Sequence, residues 1–383
     1  MQSSLRSFSN IGRCLNRRLC LSLFALVSIT FLFCEILIYR LVIIGLCDWP
    51  TVNSENHSKV MLIADPHLLG NHLGHWFDKL RREWQMYQSF TVANSNLKPE
   101  HVFILGDVFD EGKWANAHEL QAYIGRFESI FPVDPASQQL HVVLGNHDVG
   151  FHEALHPWAL RYLQQRFNLE NAQLLEINGN LFVTVTSMGL DGDRCGFCEE
   201  TRFELRKINQ TLGCLKGDSE VAGTRQFQSQ QVRYTPPILL QHFPLYRRSD
   251  EHCDEVDGAS GRYKHAVMRT RWDCLSKEST NELLQWTQPR VAFDAHSHWG
   301  CRTYWKRFQF WEWTLASFSW RNINSPSLLL LLVSPDDYAV AKCLLPREST
   351  VIAIYSLTIA SMICAIAITL YRNSRFAMKH HRK

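Results

Sequence analysis

The sequence has no large excess of charge of one sign and no internal repeats. Forty Lys and Arg residues nearly balance 37 Asp and Glu residues, for a net charge of +3 at pH 7. A broad basic footprint is therefore absent, and no nucleic-acid partner is expected. The 383 residues leave room for one large α/β domain or two ordinary domains.

Charged side chains are also absent from Val351 to Leu370, and they are rare from Leu19 to Ile44. Each stretch supplies the roughly 20 mostly apolar residues that span a bilayer. No small-residue cleavage site follows the first stretch, which favours an uncleaved anchor over a signal peptide. Glu35 and Arg40 are spaced about one helical turn apart in this stretch, where they can pair or snorkel.

Basic residues flank the two apolar stretches on their outer sides, and short basic flanks stay cytosolic. These are Arg6, Arg13, Arg17 and Arg18 before the first, and Arg372, Arg375, Lys379, Arg382 and Lys383 after the second. Both termini are therefore expected in the cytosol. The predicted order is a cytosolic tail (1–18), a transmembrane helix (19–46), a lumenal domain (47–350), a second transmembrane helix (351–371) and a basic cytosolic tail (372–383).

Eight of the twelve cysteines lie between the apolar stretches: Cys47, Cys195, Cys198, Cys214, Cys253, Cys274, Cys301 and Cys343. In an oxidising lumen an even set of cysteines indicates disulfides, whose pairing the sequence leaves open. The Cys195-Gly-Phe-Cys198 pair admits a redox pair or half a zinc site. No second pair at zinc-finger spacing is present, so a structural disulfide is favoured. Asn56-His57-Ser58 and Asn209-Gln210-Thr211 are glycosylation acceptor sequences, in keeping with a lumenal domain.

Between the spans, short apolar runs alternate with longer mixed segments, which predicts a layered α/β domain. The predicted strands are 60–64, 102–105, 140–144, 181–186, 238–241 and 291–293, and helices are predicted over 75–93 and 119–131. Two polar segments, 216–233 and 249–270, are expected to be loops. In such domains polar ligands gather in the crevice outside the strand ends.

Five short motifs follow these strands in a fixed order. They are Asp65-Pro-His67, Gly106-Asp107, Gly145-Asn146-His147-Asp148, His242, and His296-Ser-His298. Taken singly, each is more often a capped turn or a structural histidine than a site. All five in order, each directly after an apolar run, form a specific signal.

The five motifs resemble those of the calcineurin-like metallophosphoesterase superfamily. The resemblance implies a sandwich of two β-sheets flanked by helices, here with two transmembrane helices, and a dinuclear phosphoester hydrolase. It places one metal on Asp65, His67, Asp107 and His298, and the other on Asp107, Asn146, His242 and His296. Asp107 then bridges two divalent ions. The mixed N/O ligand set suits manganese, iron or zinc, and the resemblance favours Mn²⁺.

The resemblance gives His147 a catalytic role beside the phosphate and leaves it out of the ligand set. Asp148 is expected to orient the His147 imidazole, with a helix N-cap as the competing interpretation. The sequence departs from the superfamily at Ala295, which replaces the usual glycine before the last motif. If that position needs a positive φ, alanine is strained there by roughly 1 kcal/mol or more. Asp294 is expected to bring a further carboxylate near the metals.

Four longer stretches narrow the resemblance to the superfamily's post-GPI-attachment phosphodiesterases: 73–86, 103–114, 241–250 and 317–322. That likeness implies removal of an ethanolamine phosphate from the second mannose of GPI anchors, with GPI-anchored proteins as partners. It also implies location at endoplasmic reticulum exit sites, the intermediate compartment or the cis-Golgi membrane. Through the basic tail, cargo receptors and coat proteins become candidate partners. A non-catalytic glycan adaptor and a lumenal phosphatase for another substrate are the alternatives.

Two groups of side chains are candidates for contacts with such a glycan. Trp305, Trp311, Trp313 and Trp320 either stack on sugar faces or belong to the core. Arg247, Arg248 and Arg321 either contact anionic phosphates or form a solvated basic surface.

Overall fold

The computed structural model describes residues 17–54, 56–191, 196–217 and 232–380. The chain divides into two compact units, one of residues 1–41 with 346–383 and one of residues 42–345. Predictions that concern Arg6, Arg13, Cys195, Arg382 and Lys383, and most of the predicted loop 216–233, lie outside the described residues.

Two long apolar helices occupy the ends of the chain. The first runs over Arg17–Leu46, with a π-helical turn at Phe33–Leu37, and the second over Glu348–His380. Both are long and apolar enough to cross a bilayer. Within the smaller unit, the Thr30 and Thr358 hydroxyls are 2.9 Å apart, and the Tyr355 hydroxyl donates to Glu35 at 2.7 Å. Glu35 therefore has a polar partner that the sequence did not indicate.

The larger unit contains a five-stranded sheet with the strand order β11-β10-β1-β2-β3. Its strands are β1 (Ser58–Ile63), β2 (His101–Leu105), β3 (Gln139–Val143), β10 (Ser327–Val333) and β11 (Tyr338–Leu344). β1, β2 and β3 are parallel, whereas β10 is antiparallel to both β1 and β11. The apolar runs that predicted β1 and β2 are buried on both faces, as central parallel strands require, whereas β3 lies at the edge of the sheet and only its carboxyl end is buried.

A second, six-stranded sheet has the strand order β4-β5-β6-β7-β9-β8. Its strands are β4 (Ala172–Ile177), β5 (Asn180–Val185), β6 (Ile238–Gln241), β7 (Val291–Asp294), β8 (Cys301–Trp305) and β9 (Phe310–Thr314). β5, β6, β7 and β9 are parallel, and the edge strands β4 and β8 are antiparallel.

One apolar cluster joins the facing sides of the two sheets. It contains Leu62 and Phe103 from the first sheet together with Phe182, Leu240 and Phe293 from the second. The rings of Phe103 and Phe182 stack with their centroids 5.7 Å apart. The two sheets therefore form a sandwich, which confirms the predicted fold class.

Helices cover the outer faces of the sandwich. They are α1 (Trp76–Leu97), α2 (Ala117–Ile130), α3 (Asn146–Val149), α4 (Pro157–Phe167), α5 (Gly196–Lys216) and α6 (Lys277–Thr287). Short 3-10 turns lie at Gly112–Trp114, His152–Ala154, Ser187–Gly189 and Gly261–Tyr263. The segment 249–270 is made of turns, as predicted.

Disulfides join two pairs of described cysteines in the larger unit, Cys47–Cys343 and Cys253–Cys301. Cys274 is a buried thiol, so the expectation that the whole lumenal set is paired is wrong for this residue. Its sulfur donates to the Arg247 carbonyl instead, at 3.6 Å.

Candidate metal centre

The predicted ligands lie at the carboxyl ends of five parallel strands. Asp65 and Asp107 each stand two residues beyond β1 and β2, and His242 directly follows β6. Asn146 begins α3 just after β3, and His296 follows β7 by two residues. Because the carboxyl ends of parallel strands in the two sheets open on one crevice, residues distant in sequence meet there.

The backbone is strained at this crevice. Asp65, His67, Asp107, His296 and His298 all have φ between +46° and +69°. A positive φ in a residue other than glycine costs on the order of 1–3 kcal/mol. The surrounding fold offsets this cost at five positions of one site, which is typical of functional residues.

A glycine is required at position 106 for two reasons, its backbone conformation and its close contact with His242. Its φ is +84°, and a Cβ there would stand 2.1 Å from His242 Nδ1. A Cβ on Gly145 would stand 2.3 Å from Asp107 Oδ1. Both glycines of the second and third motifs therefore allow the loops to approach the predicted ligands.

Two groups of potential metal ligands share Asp107. Within each group the donor atoms all lie within 4.8 Å of one another. One group is Asp65, His67, Asp107 and His298, and the other is Asp107, His242 and His296. Asn146 lies beside the second group, with its Oδ1 3.2 Å from His242 Nε2. All seven side chains that the sequence predicted as ligands are thus brought together.

Several potential ligand atoms in this cluster lie close together, and some of them make no hydrogen bond. Asp65 Oδ1 and Asp107 Oδ2 are buried and make no hydrogen bond. Asp107 Oδ2 lies 3.4 Å from both His67 Nε2 and His242 Nε2. His67 Nε2 and His298 Nε2 are 3.1 Å apart. Such buried acceptors are costly alone, whereas two divalent cations would satisfy them. The residues therefore fit a dinuclear site.

The other ring nitrogen of each of three histidines has a fixed partner. His67 Nδ1 donates to Asp110 Oδ1 at 2.9 Å, and His242 Nδ1 donates to the Leu105 carbonyl at 2.9 Å. His296 Nε2 donates to the Trp272 carbonyl at 2.8 Å. These bonds orient the imidazoles and leave His67 Nε2, His242 Nε2 and His296 Nδ1 for a cation.

Asp110 is a functional residue that sequence reasoning missed. Besides holding His67, its backbone carbonyl accepts from His147 Nδ1 at 2.9 Å. Its other carboxylate oxygen lies 3.5 Å from Arg321 Nη2. The available signal was its place in the loop that begins at Asp107, three residues earlier.

The predicted contact between Asp148 and His147 is wrong. The two carboxylate oxygens of Asp148 accept from the Phe109 and Gly145 amides, each at 2.8 Å. The N-cap residue of the short helix α3 is Gly145 and not Asp148, so the competing interpretation is wrong as well; Asp148 caps the helix from its third position by accepting from the Gly145 amide. Asp148 thus ties together the loops that carry Asp107 and His147, and Asp110 orients His147.

Burial and mutual charge set the protonation of the cluster. Burial, reinforced by His242, lowers the pKa of His296 to about 3, and burial holds the pKa of His298 well below its usual range. Burial alone would raise the pKa of Asp107, but attraction to His242 and neighbouring imidazoles holds it well below its usual range. Burial alone would lower the pKa of His242, but attraction to Asp107 and Asp65 raises it to about 9. A cation that binds at His242 must therefore displace a proton, whereas His296 and His298 are already neutral at pH 7.

The alanine in the last motif is not strained. The backbone at Ala295 does not adopt a positive φ, and its amide donates to the His242 carbonyl at 2.9 Å. Its side chain is buried in the apolar cluster between the sheets. The expected penalty at this position is therefore absent, and alanine is compatible with the geometry of His296.

Asp294 and Arg247 do not have the predicted roles. Asp294 is buried. Burial, reinforced by the charge of Glu312, raises the pKa of Asp294 well above the usual range, and Arg247 opposes this shift. Arg247 is buried too and donates to Asp250 at 2.7 Å and to Thr314 at 2.9 Å. It is part of an internal ion pair, so both interpretations that place it on the surface are wrong. Arg248 is exposed, and Arg321 lies at the site.

The four tryptophans named from the sequence have different surroundings. Trp320 is buried, and Trp305 donates to Glu312 at 2.8 Å. Trp311 and Trp313 lie against the guanidinium of Arg302.

Trp272 is a second residue that sequence reasoning missed. Its carbonyl holds His296, and half of its side chain is exposed. Its indole packs against the rings of Phe151 and His152, with centroids 4.9 and 5.3 Å away. Nothing in the local sequence marked it, because its link to His296 crosses 24 residues.

Comparisons with known proteins agree with this geometry. The profile of the family described as calcineurin-like phosphoesterase matches residues 58–300. The chain is 41% identical to metallophosphoesterase 1 of Danio rerio, covering 92% of both chains. It is 42% identical to that of Ailuropoda melanoleuca, covering 93% of this chain and 91% of the relative, and 41% identical to that of Mus musculus, covering 85% and 82%.

The residues matched by the family profile include all five motifs and the strands that precede them. The ligand groups, shared carboxylate and sandwich fold supply the machinery of a metal-dependent phosphoester hydrolase. The chain belongs to the calcineurin-like phosphoesterase family.

Proposed function

We propose that this phosphoesterase removes the ethanolamine phosphate from the second mannose of GPI anchors. One observation supports metal-dependent hydrolysis of a phosphoester: two groups of potential metal ligands share Asp107 at the carboxyl ends of the strands. The choice of substrate is supported by the four stretches that resemble post-GPI-attachment phosphodiesterases. Two apolar terminal helices support a substrate that is itself attached to a membrane.

In the proposed site, one cation is held by Asp65, His67, Asp107 and His298, and the other by Asp107, Asn146, His242 and His296. Divalent ions bound there neutralise the phosphoryl oxygens and make water a stronger nucleophile near neutral pH. Manganese is proposed for both positions, because imidazole, carboxylate and amide donors together suit such a metal. The Asp107 carboxylate offsets the repulsion between two neighbouring cations.

His147 is proposed as the proton donor to the leaving oxygen. The Nδ1–H bond to the Asp110 carbonyl leaves Nε2 to accept and donate the proton. Its side chain is 32% exposed, so a substrate can reach it. Burial lowers the pKa of His147, and a bound phosphate anion would oppose that shift by favouring the imidazolium.

Two further groups are placed to hold an anionic glycan. Arg321 is 39% exposed and lies near Asp110 at the edge of the cluster, where it would pair with phosphate oxygens. Trp272, whose carbonyl holds His296, has a half-exposed indole that would stack on a sugar ring.

We also propose the topology and location that the basic flanks predict, with a lumenal catalytic unit and cytosolic ends on membranes between the endoplasmic reticulum and the Golgi. The Cys47–Cys343 and Cys253–Cys301 disulfides support an oxidising compartment. Both glycosylation candidates, Asn56 and Asn209, are exposed, which supports their modification. Cargo receptors and coat proteins remain proposed partners of the basic tail.

The substrate is tested by mass analysis of GPI glycans from cells that lack the protein. Retained ethanolamine phosphate on the second mannose, with its removal restored by the wild type and not by Asp107→Ala, is the expected result. Restoration by Asp107→Ala would favour a non-catalytic adaptor of GPI-anchored proteins. An unchanged glycan with intact hydrolysis of simple phosphodiesters would mean that another lumenal substrate is used.

A further inference from the structure

Helix α1 has two apolar faces on opposite sides. Its buried face includes Met86, Phe90 and Ala93, which pack into the larger unit. The other face, which we call the outer face of α1, is formed by Trp76, Phe77, Leu80, Trp84 and Tyr87. At 3.6 residues per turn these five positions form a stripe about 100° wide.

Most of the outer face of α1 is exposed, and Trp84 is half-buried. Trp76 is 68% exposed, Leu80 is 59% exposed and Phe77 is 54% exposed. The Trp76 and Phe77 rings are in contact, with centroids 5.7 Å apart, and Trp84 lies 6.1 Å from Tyr87. Single exposed apolar residues are ordinary, but a contiguous aromatic stripe marks a surface that meets an apolar partner.

The carboxyl end of α1 is tied to the chain that leaves the first apolar helix. Trp49 Nε1 donates to the carbonyl of Leu97, the last residue of α1, at 2.8 Å. Trp49 follows Leu46, where the first apolar helix ends, by three residues. Three residues reach at most about 11 Å, so Trp49 lies within that distance of the end of the first apolar helix, and its indole ties the carboxyl end of α1 to this segment.

The composition of the stripe matches a bilayer interface rather than a protein partner. Trp and Tyr prefer the headgroup level, and Lys79 and Arg81 flank the apolar side chains, as in helices that lie in the interface. A helix of 22 residues is about 33 Å long, so an aligned α1 would extend along the membrane surface.

We infer that the outer face of α1 lies in the lumenal interface of the bilayer to which the chain is anchored. This inference rests on the proposed two-span topology and on the proposed lipid-linked substrate. α1 also contacts the segment that carries Arg321, because Gln85 Nε2 donates to the Phe318 carbonyl at 3.1 Å and Arg81 lies over the Trp320 ring. Seating α1 on the bilayer therefore positions the metal centre relative to a membrane-bound glycan.

The direct test uses the full chain in nanodiscs whose lipids carry brominated acyl chains, which quench tryptophan fluorescence on contact. Trp76→Phe keeps the surface apolar and removes one of 12 tryptophans. If Trp76 contacts the lipid, its emission is quenched in the wild type. We therefore expect the quenched part of the emission to be smaller in Trp76→Phe, by about one twelfth of the emission of all tryptophans. An equal quenched emission in the wild type and Trp76→Phe would overturn the inference. So would quenching that appears only in discs holding two copies, since the stripe would then be a dimer contact.

A functional arm separates this inference from the proposed substrate. Trp76→Glu/Leu80→Glu is expected to slow hydrolysis of a GPI-linked substrate in the bilayer at least tenfold and to leave a soluble ethanolamine phosphate ester unaffected. Phe203→Glu, on the exposed side of α5, is the matched control for an added charge. Quenching at Trp76 without release of ethanolamine phosphate by the wild type would contradict only the proposed substrate. Equal activity of the double variant on both substrates would contradict the membrane face.

Discussion

Replacing Asp110 with asparagine tests whether the orientation of His67 governs metal binding. The carboxylate accepts from His67 Nδ1 at 2.9 Å and is 5% exposed, so water cannot take its place. An asparagine side chain at this position would keep the shape but lose the charge that raises the pKa of His67 against the effect of burial. Loss of such a partner typically costs 10–100-fold in metal affinity or activity, or about 1.4–2.7 kcal/mol.

The assay is a competition titration of Mn²⁺ against a fluorescent chelator, together with kcat/KM for a simple phosphodiester. Asp110→Asn is expected to weaken the Mn²⁺ affinity by about tenfold or more and to keep the fold, checked by its melting temperature without metal. Glu119→Gln is the matched control, because Glu119 completes the capping box of α2 and glutamine can replace it there. An affinity within threefold of the wild type in Asp110→Asn would refute the assigned role.

Three further predictions follow from the geometry. Gly106→Ala is expected to abolish metal binding and destabilise the fold by about 1–3 kcal/mol, since the new Cβ meets His242 at a φ of +84°; a calorimetric scan and metal analysis check this. Burial, reinforced by His101, lowers the pKa of His141 to about 4. The contribution of neutral His141 to the stability of the fold is therefore complete above about pH 6.5 and is lost as the pH falls towards 4. His141→Phe is expected to reduce this loss, which melting temperatures measured across the pH range check. Trp272→Ala is expected to lower kcat/KM about tenfold for a substrate that carries ethanolamine phosphate on mannose, but not for one that carries it on glycerol. Trp272→Phe, which keeps an aromatic ring, is expected to restore most of the kcat/KM for the mannose substrate.

The strand ends and the ligands could be predicted from the sequence because both signals are local. An apolar run such as that before Asp65 predicts a buried strand, and parallel strands bring their carboxyl ends together. The order of the motifs supplied the rest, because it matched a family whose fold brings such motifs together at the strand ends. Strands β4 and β8 to β11 were not predicted. β4, β8 and β11 lie at sheet edges and are only partly buried, and β10, although a continuous apolar run, is followed by no motif.

The partners of individual side chains could not be predicted, because they depend on contacts between distant segments. Asp148 follows His147 directly, yet its oxygens are taken by Phe109 and Gly145. Arg247 lies in a stretch that resembles the superfamily, and its buried partners are Asp250 and Thr314. A sequence pattern identifies the side chains near a site but does not show which atom each one bonds.

Strain at the site is the second feature that the sequence concealed. The position expected to be strained, Ala295, has an ordinary backbone, whereas five of the ligands themselves have positive φ values. The cost therefore falls on the residues that hold the cations and not on the replaced glycine. Bound metal would offset part of that cost, so metal removal is expected to lower the melting temperature.

Seven side chains are proposed to hold two cations that share Asp107. The most direct measurement is the metal content of the purified full chain, determined by mass spectrometry after dialysis against metal-free buffer. Two transition-metal ions per chain are expected in the wild type, with a marked loss in Asp107→Ala. A folded wild-type chain that retains no stoichiometric transition metal, or an Asp107→Ala chain that still retains two ions, would contradict this proposal.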